Sequence, residues 1–244
     1  MKEIALNCDV GEGLDNEKEL FPLISSCSIA CGGHAGNEQT MTKVIGLALQ
    51  NDVKIGAHPS YPDREKFGRL CLNMSKGDFI ASVRSQITVF SNILREHNGI
   101  LNHIKPHGAL YNDLAKDKTL STYFLEAIET YKDGVKLYVP YGSTLAEEAL
   151  KQNWKLVYEA FGDRNYKDDL SLVSRKKANA LIQSPSEVLE HIMIMIRAGQ
   201  VKTISGRLIP IKAETFCIHG DTPNVLEILM YLSRELPKKD ILIT

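Results

Sequence analysis

Cysteine is sparse and unpatterned in this chain. Its five residues, Cys8, Cys27, Cys31, Cys71 and Cys217, form an odd set with no CxxC pair. That speaks against a disulfide framework or a structural zinc site, and a reducing, cytoplasmic setting is expected. Long apolar runs are missing as well: none approaches the roughly 18–20 residues that span a bilayer, so no membrane is expected as a partner. The opening Met1-Lys2-Glu3, with Asp9 and Glu12 close behind, lacks the layout of a secretory signal peptide. An excess of one charge is absent too. A formal net charge of -1 over 244 residues gives no field for nucleic acid or an anionic surface, and the basic clusters Arg175-Lys176-Lys177 and Lys238-Lys239 are short enough to be solvated surface. The chain also lacks a GxxxxGKS/T phosphate loop, GxGxxG, HExxH and GxSxG. A bound nucleotide would have to be held by another arrangement.

What is present is an ordinary globular balance, 43% apolar and 24% charged, which excludes disorder as the expectation and supplies a sizeable core. Short β-prone runs fall at residues 4–8, 28–31, 53–57, 101–104, 135–139, 156–158 and 215–218. Helical patterns lie between most of them, at about 38–50, 76–96, 120–131, 144–152, 186–198 and 224–235. Ser75 with Asp78 three residues on opens the second helix in a capping-box pattern, and Asn98-Gly99 closes it. Strands alternating with helices predict βαβ units around a parallel sheet, either a closed barrel or a doubly wound sheet. Two stretches break the alternation: 162–177 reads as a long polar loop and 206–212 as an inserted hairpin. With no linker or composition step, residues 1–244 read as a single catalytic domain.

The chemistry gathers just after the strands. The first run ends in Asp9-Val10-Gly11-Glu12, the second in Gly32-Gly33-His34, the third in His58-Pro59 and the fourth in Lys105-Pro106-His107-Gly108. Glu159 and then Asp163-Arg164 follow the sixth, and the seventh ends in His219-Gly220-Asp221. In a parallel barrel all strand C-termini open on one face, so residues far apart in sequence converge there. A single strand-end histidine is ordinary packing. Four, accompanied by Asp9, Lys105, Asp163 and Asp221, would be expensive to bury without a purpose. His97, His103 and His191 lie in or beside element interiors and read as structural or exposed. The stretch from Tyr61-Pro62-Asp63 to Phe67-Gly68-Arg69 reads either as a loop reaching over the site or as a plain surface turn.

Taken in order, LNCDVGEG (6–13), SIACGGHAGN (28–37), IGAHPSYPD (55–63), FGR (67–69), IKPHGALYN (104–112), EAFGDRNY (159–166), LVSR (172–175) and CIHGD (217–221) resemble the LamB/YcsF family. The resemblance implies a distorted seven-stranded (β/α) barrel of the glycoside hydrolase/deacetylase type. It also implies cleavage of 5-oxo-L-proline to L-glutamate coupled to ATP hydrolysis, in a 5-oxoprolinase complex with subunits B and C. On this footing the catalytic set is Asp9, His58, Lys105, His107, Asp163 and His219. Glu12, His34, Asp63, Arg69, Tyr111, Arg164, Tyr166, Arg175 and Asp221 form the substrate-binding set. The chain departs from the family pattern at Ala5, Gly33, Asn37, Lys66, Leu70, Gly162 and Leu170.

A five-membered lactam is a poor electrophile, so phosphoryl transfer to its oxygen before water attacks makes chemical sense. Lys105 would neutralise charge on oxygen or phosphate, Asp9 or Asp163 would act as base, and His58, His107 or His219 would shuttle protons. Arg69 or Arg164 would hold a carboxylate or phosphate. ATP is the expected cofactor, with Mg²⁺ as its companion. The alternative is a metal-dependent amide or acetyl hydrolase in which His34, His58, His107, His219 and an Asp hold a divalent ion.

Overall fold

Parallel strands joined by helices can close into a ring when every crossover has the same hand, and this chain does so. A computed structural model describes residues 2–244. In chain order the elements are β1 (Lys2–Val10), α1 (Glu17–Leu20), β2 (Ser26–Ala30), α2 (Glu38–Gln50), β3 (Lys54–His58) and α3 (Lys76–Glu96). There follow β4 (Leu101–Ile104), α4 (Gly108–Leu114), α5 (Lys118–Ile128), β5 (Lys136–Pro140), α6 (Thr144–Lys151) and β6 (Leu156–Phe161). The last are α7 (Pro185–Ala198), β7 (Gln200–Lys202), β8 (Leu208–Pro210), β9 (Thr215–Cys217), α8 (Val225–Glu235) and β10 (Ile241–Ile243).

Strands β1-β2-β3-β4-β5-β6-β9 pair in parallel, and β9 pairs back onto β1 through Ala5↔Thr215 and Asn7↔Cys217. This closed ring of seven strands uses each β-prone run of the sequence once. Outside it, β10 adds in parallel to the start of β1. Among the described residues, no helix is long and apolar enough to cross a membrane.

Alternation along each strand sorts the side chains. Leu6, Cys8, Val10, Cys27, Ile29, Ile55, Ala57, Ile104, Leu137, Val139, Ala160 and Phe216 are all buried members of the apolar core. The intervening positions point into the barrel and are largely polar. Ser26 on β2 bonds Tyr138 on β5, and Ser28 on β2 bonds His103 on β4. Both bonds cross between strands that are not neighbours in the ring, so they span the interior. His103 is wholly buried and stacks on Tyr138 at 3.9 Å, a structural residue as its interior position predicts.

Helix boundaries follow local chemistry. Asn37 caps α2 by accepting the Thr40 N–H, and Ser75 caps α3 by accepting the Asp78 N–H. Asp78 does not complete the expected box; its carboxylate takes the Ser75 hydroxyl proton at 2.7 Å instead. Two expectations need correction. The hairpin placed at 206–212 starts earlier, at β7, because Gly199 ends α7 with φ 61 and the chain turns back at once. The polar loop of 162–177 runs on to Ser184 and is tied by the antiparallel bridges Arg164↔Leu181 and Tyr166↔Leu172.

The barrel is irregular where β3 meets β4: the register slips between Ile55 and Gly56. A Cβ on Gly56 would sit 2.1 Å from His103 Nε2, so glycine is what lets the imidazole fill the lumen. Gly56→Ala is expected to destabilise the fold by about 1–3 kcal/mol, the usual range for overpacking. Urea unfolding measures it, and an unchanged midpoint would show that the ring has room to move.

Candidate active site

The floor of the site is one buried lysine. Lys105 follows β4, is 1% exposed, and turns its ammonium into the barrel mouth. There it donates to Asp9 Oδ1 at 2.9 Å and Asn7 Oδ1 at 3.2 Å, and lies 3.3 Å from Cys217 Sγ. Glu159 Oε1, from β6, makes a second ion pair at 2.8 Å, off the line of a good hydrogen bond. Burial alone would lower the lysine pKa, but the charge of Asp9, with Cys217 and Glu159, raises it well above the usual value. The Asp9 carboxyl is held well below its usual range: burial pushes it up, and His58 and Lys105 outweigh that.

Beside the lysine stands a histidine cluster. His34 Nε2 lies 2.9 Å from Glu12 Oε1, and His107 Nδ1 lies 3.3 Å from the same oxygen. His107 Nδ1 is also 3.0 Å from His58 Nε2, which is 3.5 Å from Asp9 Oδ2 and 3.9 Å from Glu12 Oε1. The His34 and His107 rings stack at 3.5 Å, nearly parallel. Two backbone carbonyls orient the pair: His58 Nδ1 donates to Lys105 O at 2.7 Å, and His107 Nε2 donates to Phe67 O at 3.0 Å. Burial pushes His34 down to about 3 and lowers His107 too. For His58 burial also pulls down, yet the adjoining Asp9 leaves it raised.

Phe67 belongs to the loop after β3, which therefore does reach over the site. Gly68 and Gly108, both at positive φ, let that loop meet the start of α4: a Cβ on Gly108 would stand 2.8 Å from Gly68 O. Ala109 N donates to Gly68 O, and His107 N donates to Pro59 O.

A different acid–histidine pair occupies the opposite side. Asp163 is fully buried after β6, accepting the His219 backbone N–H at 2.9 Å and the Thr222 hydroxyl. His219 Nδ1 lies 3.0 Å from both Asp163 oxygens, so it is the donor there and Nε2 is left free. His219 stacks on Phe161 with centroids 5.1 Å apart. Burial pushes Asp163 up, but His219 and Thr222 hold it below the ordinary carboxylate range. At the rim, Arg69 and Arg175 both pair with Asp221 Oδ2, at 2.7 and 2.8 Å.

These groups face a cavity of about 630 Å³ lined by Asp9, Glu12, His58, Lys105, His107, Tyr111, Phe161, His219 and the two rim arginines, among others. That is room for a small metabolite. The structure thus brings most of the expected residues together, with exceptions. Asp163 stands behind His219 as its orienting partner rather than facing the cavity as a base. Arg164 spends its guanidinium on the Val173 and Ala180 carbonyls, which staples the long loop. Tyr166 accepts the Phe161 N–H and lies buried outside the main cavity. Asp63 accepts the Lys66 N–H within its own loop. His219 does not join the other three histidines: the convergent set is Glu12, His34, His58 and His107, while His219 groups with Asp9 and Cys217. Glu159 and Asn7 are missing from the sets expected from sequence. The signal for Glu159 was available, a single acid inside the apolar run LVYEAF.

The fold is a closed seven-stranded parallel (β/α) barrel. The peptidoglycan deacetylase of Bdellovibrio bacteriovorus shares that fold at a TM-score of 0.52 and 15% identity, covering 100% of this chain and 52% of that one. The chain belongs to the LamB/YcsF family, which it matches over residues 4–244. It is 38% identical to the 5-oxoprolinase A subunit from Haemophilus influenzae (strain PittEE) over 244 residues, 100% of both chains. It is 36% identical to the 5-oxoprolinase A subunit from Neisseria meningitidis (strain MC58), covering 97% of this chain and 96% of that one. The lactam utilization protein of Thermus thermophilus superposes with a TM-score of 0.91 at 32% identity, covering 100% of this chain and 99% of that one.

The depressed Asp163 carboxyl carries a stability signature. In the unfolded chain an aspartate titrates near about 3.9, and in the fold it titrates lower. Between those values the unfolded state holds more protons, so this stabilisation is complete above about pH 4 and is lost as pH falls through the folded value. Asp163→Asn should therefore cost about 1–3 kcal/mol at neutral pH, with the gap to the parent chain narrowing below about pH 4. Denaturant unfolding from pH 3 to 7 tests this; a gap that stays constant would remove the Asp163 charge from the account.

Proposed function

We propose that this chain is the A component of a 5-oxoprolinase, opening 5-oxo-L-proline to L-glutamate with ATP hydrolysis and in company with subunits B and C. The observation that carries the reading is the Lys105 ammonium, held between Asp9 and Glu159 at the base of a metabolite-sized cavity. The names of the relatives and of the Thermus protein support the same substrate class, a cyclic amide. The five free thiols are in keeping with a cytoplasmic setting.

Phosphoryl transfer from ATP to the lactam carbonyl oxygen, with ADP leaving, makes the lactam carbon electrophilic. Water adds to that carbon, the C–N bond breaks, and a second water releases the phosphate. Lys105 faces the oxygen on which negative charge collects, where preorganised electrostatics contribute most. His219, fixed in one tautomer by Asp163, presents Nε2 to the cavity; it takes the proton from water and returns it to the departing nitrogen. Arg69 and Arg175 at the rim suit the substrate carboxylate, each with nitrogens beyond the one committed to Asp221. The Tyr111 hydroxyl, buried and without a partner among the described residues, offers one more polar contact.

The test is glutamate formation from 5-oxoproline by the three-part complex, leaving out ATP and then each protein in turn. Turnover should require every component. His219→Asn should lower kcat by about 10²–10⁴-fold. Arg175→Gln should raise KM for 5-oxoproline while largely sparing kcat. Parent-level turnover by His219→Asn would remove that residue from the chemistry, and no glutamate with any combination would overturn the substrate.

A further inference from the structure

We propose that Glu12, His34, His58 and His107 form a binding site for one divalent first-row transition-metal ion. The starting point is the proton count on two imidazoles. His58 Nδ1 faces the Lys105 carbonyl and His107 Nε2 faces the Phe67 carbonyl, and a carbonyl only accepts. Each ring therefore carries its proton on the carbonyl side. The remaining nitrogens, His58 Nε2 and His107 Nδ1, then point lone pairs at each other across 3.0 Å. That contact is repulsive unless something positive lies between them.

Three features identify a metal ion rather than a shared proton. First, more donors converge than one proton can satisfy: the four residues each offer an atom, all within 4.8 Å of one another. The resolved separations, 2.9, 3.0, 3.3 and 3.9 Å, bracket the spacing of about 3.3 Å between tetrahedral ligands at Zn–N bond lengths of about 2.0–2.1 Å. Second, both rings give their far N–H to a backbone carbonyl, the outer contact that metal-bound histidines habitually make. Third, charge is unbalanced. Asp9, Glu12 and Glu159 carry three formal negative charges against one positive on Lys105, and all four are largely buried. A proton offsets one of the two excess charges; a divalent ion offsets both.

The donor set, imidazole nitrogens with one carboxylate, favours zinc, cobalt, nickel, iron or manganese over magnesium or calcium. Such an ion would polarise a carbonyl or lower the pKa of a water beside Asp9. The proposal rests on this geometry and holds for a lactam or an acetyl amide alike, so its test needs no turnover.

The full chain, purified without chelator, should contain close to one transition-metal ion by plasma mass spectrometry. After removal of metal, titration with Co²⁺ alone should saturate at one equivalent with visible d–d bands, and Zn²⁺ should displace them. His58→Gln with His107→Gln should abolish the bands while circular dichroism stays native. Glu12→Gln, a milder change, should weaken Co²⁺ binding at least tenfold. No stoichiometric binding of Co²⁺, Zn²⁺ or Mn²⁺ by the folded parent chain would overturn the proposal and leave the two rings sharing a proton. Equal binding by the folded double variant would overturn it as well.

Discussion

A lysine ammonium inside a barrel has to be compensated where it stands, and much of this structure is arranged around that need. Removing a charge from water costs several kcal/mol even after relaxation, repaid only by close opposite charges and hydrogen bonds. Lys105 receives them from three different strands: Asn7 and Asp9 on β1, Glu159 on β6 and Cys217 on β9. Those strands must hold their register for the cluster to assemble. The pairings Asn7↔Cys217 and Glu159↔Thr215 fix the offsets at which these residues reach the lysine. The same demand explains a polar lumen in a fold whose interiors are usually aliphatic. Ser26, Ser28, His103, Tyr138 and Thr215 bond one another or Asn7, so the floor under Lys105 is itself largely satisfied.

Above this floor the mouth divides into two halves with different electrostatics. On the β1–β4 side, Glu12 and three imidazoles crowd into mutual contact, and burial favours the neutral rings of His34 and His107. On the β6–β9 side a carboxylate is buried behind a single histidine, which fixes one tautomer and leaves one nitrogen toward the cavity. Lys105 sits between them. The first half gathers donor atoms within 4.8 Å of one another, and the second fixes one imidazole in a single tautomer. Asp221 joins this second half to the loop over the first by pairing with both Arg69 and Arg175.

Much of this was legible because Gly and Pro mark the ends of parallel strands, and function collects there. Asp9, His34, His58, Lys105, His107 and His219 all follow apolar runs, and all converge. What alignment to strand ends cannot reveal is which way a residue faces and what it already holds. Arg164 reads as a free guanidinium next to Asp163, yet two loop carbonyls 9 and 16 residues away claim it. Asp163 looks like a base until Thr222 and His219 are seen to surround it. Glu159 follows the predicted run 156–158 yet lies inside the longer β6, and its pairing with Lys105 from within the strand is what the strand-end pattern does not show. The need for Gly56 beside His103 depends on a register slip that no local pattern encodes.

Two of the departures from the family pattern, Gly33 and Asn37, lie outside this charged set. Asn37 still caps α2, since its amide oxygen accepts the Thr40 N–H as a carboxylate would. At Gly33, where the resemblance implies a phenylalanine, a Cβ would lie 2.4 Å from both Gln86 Oε1 and Ser60 Oγ. Gln86, reaching in from α3, accepts the Ser60 N–H at 3.0 Å and donates to the Ser60 carbonyl at 2.9 Å. It pins the turn that follows His58, and with it the approach of His58 to His107. A side chain at position 33 would have to displace the ends of Gln86 and Ser60. Around Lys105 the freedom is smaller, because Asp9 and Glu159 both depend on its one charge.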